Sequence, residues 1–183
     1  MTAVAPITTT GTWQIDSAHS TAQFAVRHMM VATVKGSFNE VAGMATANDD
    51  GTVDVDVTIP VATIDTRNAQ RDAHLRSPDF FDAESYPTIA FKGKRLEGDM
   101  DRNFRLIGDL TMRGITREIV LNVTREGAGP DPYGNERMGF SATAKVNRQD
   151  FGLRWNAALE TGGVVVGDEV RISIDVELVR PLT

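Results

Sequence analysis

Apolar and polar residues alternate one by one over much of the chain. Val53, Val55, Val57 and Ile59 are separated by Asp54, Asp56 and Thr58. Val170, Ile172, Ile174, Val176 and Leu178 are separated by Arg171, Ser173, Asp175 and Glu177. A period of two sets successive side chains on opposite faces of a strand, so these runs describe a sheet with one apolar and one solvated face. The pattern predicts strands over Thr12–Asp16, Thr21–Met29, Ala32–Ser37, Asn39–Ala47, Thr52–Pro60, Thr88–Leu96, Phe104–Met112, Ile115–Arg125, Arg137–Asn147 and Glu169–Arg180. Asp99–Asp101, Arg113–Gly114 and Asp131–Asn135 carry the residue types of tight turns between them.

The alternation breaks once, between Ile64 and Phe91. Asn68–Arg76 reads as a short polar helix, and a turn begins at Ser77. Ser77 has the character of an N-cap, with Pro78 at the first helical position and Asp79 in the first turn. Tyr86-Pro87 then enforces an extended exit, because a residue before proline avoids the α region. A lone helical insert carrying Phe80 and Phe81 suits a lid on a sheet. Many antiparallel strands with short connections form an all-β meander, and closure into a single barrel removes the liability of open edges.

Several strand positions are small: Gly36, Gly43, Ala45, Ala47, Gly108, Ala142 and Ala144. Small inward side chains would leave a barrel hollow, and an apolar hollow suits an apolar guest. Bulges, bends or outward positions are the alternative explanation of the same residues. At 183 residues the chain fits one domain, residues 12–183, preceded by a disordered tail at residues 1–11. The tail has no positive n-region and no long apolar run, which favours a cytoplasmic protein over a secreted one. Stable insertion in a membrane is disfavoured. No apolar helix is long enough, and Arg171, Asp175 and Glu177 would face hydrocarbon in a membrane barrel, at about 2–4 kcal/mol for an arginine at the midplane.

A net charge of −6 without a basic stripe argues against nucleic acid as partner. The absence of cysteine removes disulfides, thiol catalysis and thiolate metal sites. The three histidines, His19, His28 and His74, show neither HxH nor HExxH spacing, so no metal and no cofactor is expected. His28 shares the face of Phe24 and Val26 by alternation, which leaves two roles open: contact with a ligand head group, or a structural hydrogen bond. Arg71 and Asp72 are read as anchors that fix the insert to the barrel rim, and Arg148 with Asp150 as a similar clasp.

The chain resembles the YceI-like family. The resemblance rests on blocks that follow one another in the family's order. They are Asp16–Ser20 with Phe24–Met29, Val34–Phe38, Ile64–Asn68, Arg71–Ser77, Asp79–Asp82, Tyr86–Phe91, Gly108–Met112 with Gly114–Thr116, Asn147–Gly152 and Val166–Val170. Trp155 and the segment to Glu160 fall outside this pattern. The resemblance implies an eight-stranded antiparallel lipocalin-like β-barrel. Its interior would hold a polyisoprenoid or similar long-chain isoprenoid or acyl lipid, with no catalytic residues and no metal.

The lining expected for such a guest is Phe24, Val26, Phe38, Phe91, Leu106, Leu110, Met112 and Phe140, with Phe80 and Phe81 as gate and His28 at the head group. A second reading is a small barrel enzyme of isomerase, cyclase or hydrolase type, acting through His28 or a buried carboxylate. A third is a filled barrel serving as an interaction module. An exposed edge or rim patch leaves a homodimer open.

Overall fold

The computed structural model describes residues 9–181, so most of the expected tail, Met1–Thr8, lies outside the described residues. Eleven strands form one sheet: β1 (Gly11–Ile15), β2 (Thr21–His28), β3 (Ala32–Phe38), β4 (Ala42–Ala47), β5 (Val53–Pro60), β6 (Ile64–Asp65), β7 (Thr88–Gly98), β8 (Asn103–Met112), β9 (Ile115–Pro130), β10 (Asn135–Asn147) and β11 (Val166–Pro181). One α-helix, α1 (Ala69–Arg76), interrupts them. Gly11, the last residue of the expected tail, is the first residue of β1.

Eight of these strands close a ring in the order β1-β4-β5-β7-β8-β9-β10-β11, and β1 pairs back onto β11 at Ile15↔Leu178. Every pairing is antiparallel, and closure leaves the ring without a free edge. The remaining three strands continue the ring strands beyond short breaks. β2 takes over the edge of β11 at Thr21↔Asp175, β3 pairs with β2, and β6 meets β3 at Ser37↔Asp65 and Phe38↔Ile64. At this end the wall splits, because β7 pairs with β5 and not with β6. The insert between β6 and β7 occupies the split.

α1 has little apolar surface to hold it. Its buried residue is Asp72, and polar bonds fix it instead. Asn68 Oδ1 caps the helix by accepting from Arg71 N at 2.9 Å. Asp72 Oδ1 accepts from Thr66 N at 2.9 Å and Thr66 Oγ1 at 2.5 Å, while Arg71 donates to Thr66 Oγ1 and Thr66 O, each at 2.8 Å. The anchor expected of Arg71 and Asp72 is therefore made to the residue that follows β6. Ser77 closes α1 rather than starting a new helix: its N–H donates to His74 O, and the residues after it form turns. No helix among the described residues is long and apolar enough to cross a membrane.

Two small residues have the opposite meaning to the one their size suggests. A Cβ on Gly36 would stand 2.3 Å from Phe24 Cζ, and a Cβ on Gly108 would stand 2.6 Å from Phe91 Cζ and 2.3 Å from Lys92 O. The phenyl ring of the neighbouring strand lies over each glycine, so these positions let aromatic groups in and do not hollow the barrel. Gly43 lacks a side chain for a different reason: its φ of +152° brings the Cβ position to 2.0 Å from Asp56 O.

Candidate ligand-binding lumen

Inside the ring lies a cavity of about 310 Å3. The inward faces of the alternating strands build its wall. β5 contributes Val53, Val55, Val57 and Ile59, and β11 contributes Val170, Ile172, Ile174, Val176 and Leu178. These are the period-two runs of the sequence, now placed on one concave surface. Ala45, Ala47 and Ala142 also line it, so part of the small-residue set does enlarge the hollow.

Ten of the eleven expected lining residues reach this cavity. They are Phe24 and Val26 on β2, Phe38 on β3, Phe91 on β7, Leu106, Leu110 and Met112 on β8, Phe140 on β10, and Phe80 and Phe81 on the turn after α1. His28 is the exception. It ends β2 opposite Ala32 and Val166, past Val26, the last residue of that strand to line the lumen. Val166, its register partner, does line the lumen, so His28 stands level with the lining without being part of it.

The aromatic residues near the insert pack as two groups, one around Phe38 and one around Phe80. Phe38 meets Phe24 at 5.8 Å between ring centroids and Phe81 edge-on at 6.0 Å. Phe80 packs on Trp155 at 5.5 Å, and the His74 ring stands edge-on to both Phe80 and Trp155. His74 Nε2 also bonds Asp79 Oδ2 at 2.9 Å, so this histidine helps fold the insert. Arg113, on the β8–β9 turn, donates to Gly152 O at 2.6 Å and to Pro78 O at 2.9 Å. It ties the insert to the far side of the split.

The wall is almost wholly apolar. Thr9, Gln23 and Arg148 are its polar contributors, and the guanidinium of Arg148 is already committed. Arg148 is buried and donates to four backbone carbonyls: Gly167 at 2.8 Å, Leu153 at 2.6 Å, Trp155 at 3.0 Å and Val166 at 3.3 Å. Burial holds its pKa below the ordinary arginine value, partly offset by the Asp168 carboxylate at 3.5 Å. The clasp thus runs from Arg148 to the loop after residue 152 and to Asp168, and not to Asp150. No carboxylate or histidine is among the lining residues. Asp72, a buried carboxylate, is bonded to Thr66 and lies outside the lining.

Sequence reasoning did not single out Trp13, Ile15, Leu121, Val123 or Leu153 among the lining residues. Trp13, 1 % exposed, stands toward the opposite end of the lumen from the insert, with Arg180 stacked 4.1 Å above its ring. Its position on a short strand that begins at Gly11 gave little periodicity to read. Histidine spacing alone also overlooked one convergence, in which Asp16, His19 and Glu177 bring potential metal ligands within 4.8 Å of one another. Arg137 donates to both carboxylates there, which satisfies them with a fixed cation.

The chain is similar to several known proteins. A UPF0312 protein of Staphylococcus aureus is 38 % identical over 165 residues, covering 88 % of this chain and 94 % of the relative. The crystal structure of a Campylobacter jejuni YCEI protein is 31 % identical with a TM-score of 0.70, covering 82 % of this chain and 87 % of that one. Two more distant structures share the fold: BcnA of Burkholderia cenocepacia, at 21 % identity, TM-score 0.74 and 91 % and 99 % coverage, and a polyisoprenoid-binding domain from Saccharophagus degradans, at 13 %, 0.67 and 92 % and 98 %. The model of the YceI-like domain matches residues 13–178, which take in every strand of the closed ring at least in part. The closed barrel, its helical insert and this match over nearly the whole chain lead to one conclusion: the protein belongs to the YceI-like family.

Proposed function

We propose that the protein binds a polyisoprenoid or similar long-chain lipid in the barrel lumen and shields or carries it without catalysis. The observation that carries this reading is the lumen wall, apolar on strands all round the ring and without a free ionisable group. Such a wall rewards hydrocarbon at about 0.8 kcal/mol per buried methylene and offers nothing to an ion. The buried length of the guest is therefore uncharged, and a phosphate or other charged head lies outside the lumen. The absence of a lining carboxylate or histidine supports binding over proton-transfer chemistry. The polyisoprenoid-binding domain from Saccharophagus degradans, which has the same fold, supports the choice of guest class.

Trp13 provides the test, because it lines the lumen. A Trp155→Phe variant leaves it as the single tryptophan. Titration with an acyl or isoprenoid chain brominated near its apolar end is expected to quench Trp13 fluorescence saturably, at one guest per barrel. Quenching that never saturates, or none at all, would remove the lumen as the binding site.

A further inference from the structure

Exposed apolar side chains concentrate at one point on the molecule, the tip of the β2–β3 hairpin. Met29, Met30 and Val31 are 42 %, 56 % and 79 % exposed, and Val164, on the neighbouring segment, is 37 % exposed. Four of the seven large hydrophobic residues exposed among the described residues are thus gathered there. Scattered exposed hydrophobics are ordinary on a soluble protein, but a contiguous group of them marks an interaction surface.

The tip is built to keep this exposure. Met29 and Met30 both adopt the left-handed region, with φ of 50° and 62°, which non-glycine residues reach only at a cost. Met29 N donates to Val165 O at 2.8 Å, and Arg27 Nη2 donates to Met30 O at 2.9 Å. These bonds fix the turn with its apolar side chains outward and set the exposed Arg27 beside them. The same strands continue into the lumen wall: Val26 lines it two residues below His28, and Val166, the partner of His28, lines it too. One register step separates the external apolar tip from the binding cavity.

We propose that this hairpin tip docks the barrel on a lipid bilayer, where the guest is loaded and released. The proposal rests on the reading of the lumen as a lipid site. A convex tip one hairpin wide needs a matched pocket to bury itself in another protein. A bilayer interface accepts it without one. Methionine and valine would enter the headgroup and acyl boundary, while Arg27 remains at the depth of the lipid phosphates.

Flotation of guest-free protein with vesicles of phosphatidylethanolamine and phosphatidylglycerol tests the docking separately from the lumen. Wild type is expected to float with the vesicles. A Met30→Glu/Val31→Glu double variant should lose about tenfold or more of the bound fraction, since burial of even one such side chain corresponds to at least that factor. Tyr133→Glu, the same kind of change at the exposed β9–β10 turn, should float as wild type does.

Transfer of a fluorescent isoprenoid from loaded protein to the vesicles should accelerate with vesicle concentration for wild type, and not for the double variant. Both proteins should take up the isoprenoid equally from dispersed solution. Failure of that uptake would strike the lumen reading alone. Wild type that stays off the vesicles, or a double variant that floats as well as wild type, would overturn the docking. So would a wild-type dimer in sedimentation velocity that the double substitution dissolves, because the tip would then belong to a second copy of the chain.

Discussion

At the scale of single residues, the lumen is decided by which side chains are missing as much as by which are present. Phe24 lies over Gly36, and Phe91 lies over Gly108 beside the carbonyl of Lys92. Gly36→Ala should destabilise the fold by about 1–3 kcal/mol, the usual cost of forcing an extra methyl into a packed core. Phe24→Leu in the same chain should recover part of that loss, because it removes the ring but leaves Thr66 Cγ2, 2.9 Å from the same Cβ position. Gly108→Ala should resist the equivalent rescue by Phe91→Leu, because the backbone oxygen of Lys92 cannot move aside. Denaturant melts of the singles and doubles check both expectations through the coupling energy. Ala142 has the opposite function, since it borders the cavity. Ala142→Phe should fill the space, leave the fold intact and weaken guest uptake by about tenfold or more, judged by the methylenes that no longer find room.

At the scale of elements, the strands were legible from the alternation because each of them has one wet face. The alternation groups residues by face but does not tell which of them reach the cavity: Val166, the register partner of His28, lines the lumen, and His28 does not. It also cannot show what a neighbouring strand places over a glycine, so the size of Gly36 and Gly108 reads as open space where the fold sets a phenyl ring. Ser77 misled through local chemistry. Ser-Pro-Asp is an N-cap sequence, yet its N–H is claimed by the helix that precedes it. Trp155 gave no signal because its partners, His74 and Phe80, are distant in sequence and belong to the insert.

Arg113 links the insert to the rest of the wall, donating to Pro78 O within the insert and to Gly152 O outside it. Arg113→Met should therefore loosen the turn that places Phe80 and Phe81 against the lumen. The expected result is faster release of a bound guest, several-fold in a stopped-flow displacement assay, with a smaller change in melting temperature. Unchanged release would show that the insert does not gate the lumen.

At the scale of the whole molecule, the ring depends on its shortest seam, where β1 meets β11 over Gln14↔Val179 and Ile15↔Leu178. Arg137 reinforces that seam from outside. It bonds Asp16 at the end of β1 and Asp131 in the β9–β10 turn, each at 2.7 Å, together with Glu177 on β11. Arg137, followed by His19, holds the Asp16 carboxyl below its ordinary pKa, and Asn135 and Arg137 do the same for Asp131. A carboxylate with a depressed pKa in the fold contributes stability that is present above its unfolded pKa, about 4, and is lost as pH falls toward the lowered value. The melting temperature should thus hold between neutrality and about pH 5, and then fall steeply below about pH 4. Arg137→Gln should lower the melting temperature at neutral pH and flatten that acid limb. An acid limb of unchanged steepness would assign the pH dependence to other carboxylates.

The central claim concerns what fills the barrel, and native mass spectrometry of protein purified from cells under non-denaturing conditions addresses it most directly. A barrel that binds long-chain lipid should show a bound mass at one guest per chain, and organic extraction should release an isoprenoid or acyl species of that mass. An empty spectrum, joined by failure to take up isoprenoids and long acyl chains supplied in solution, would contradict the account and leave the apolar lumen without a lipid to hold.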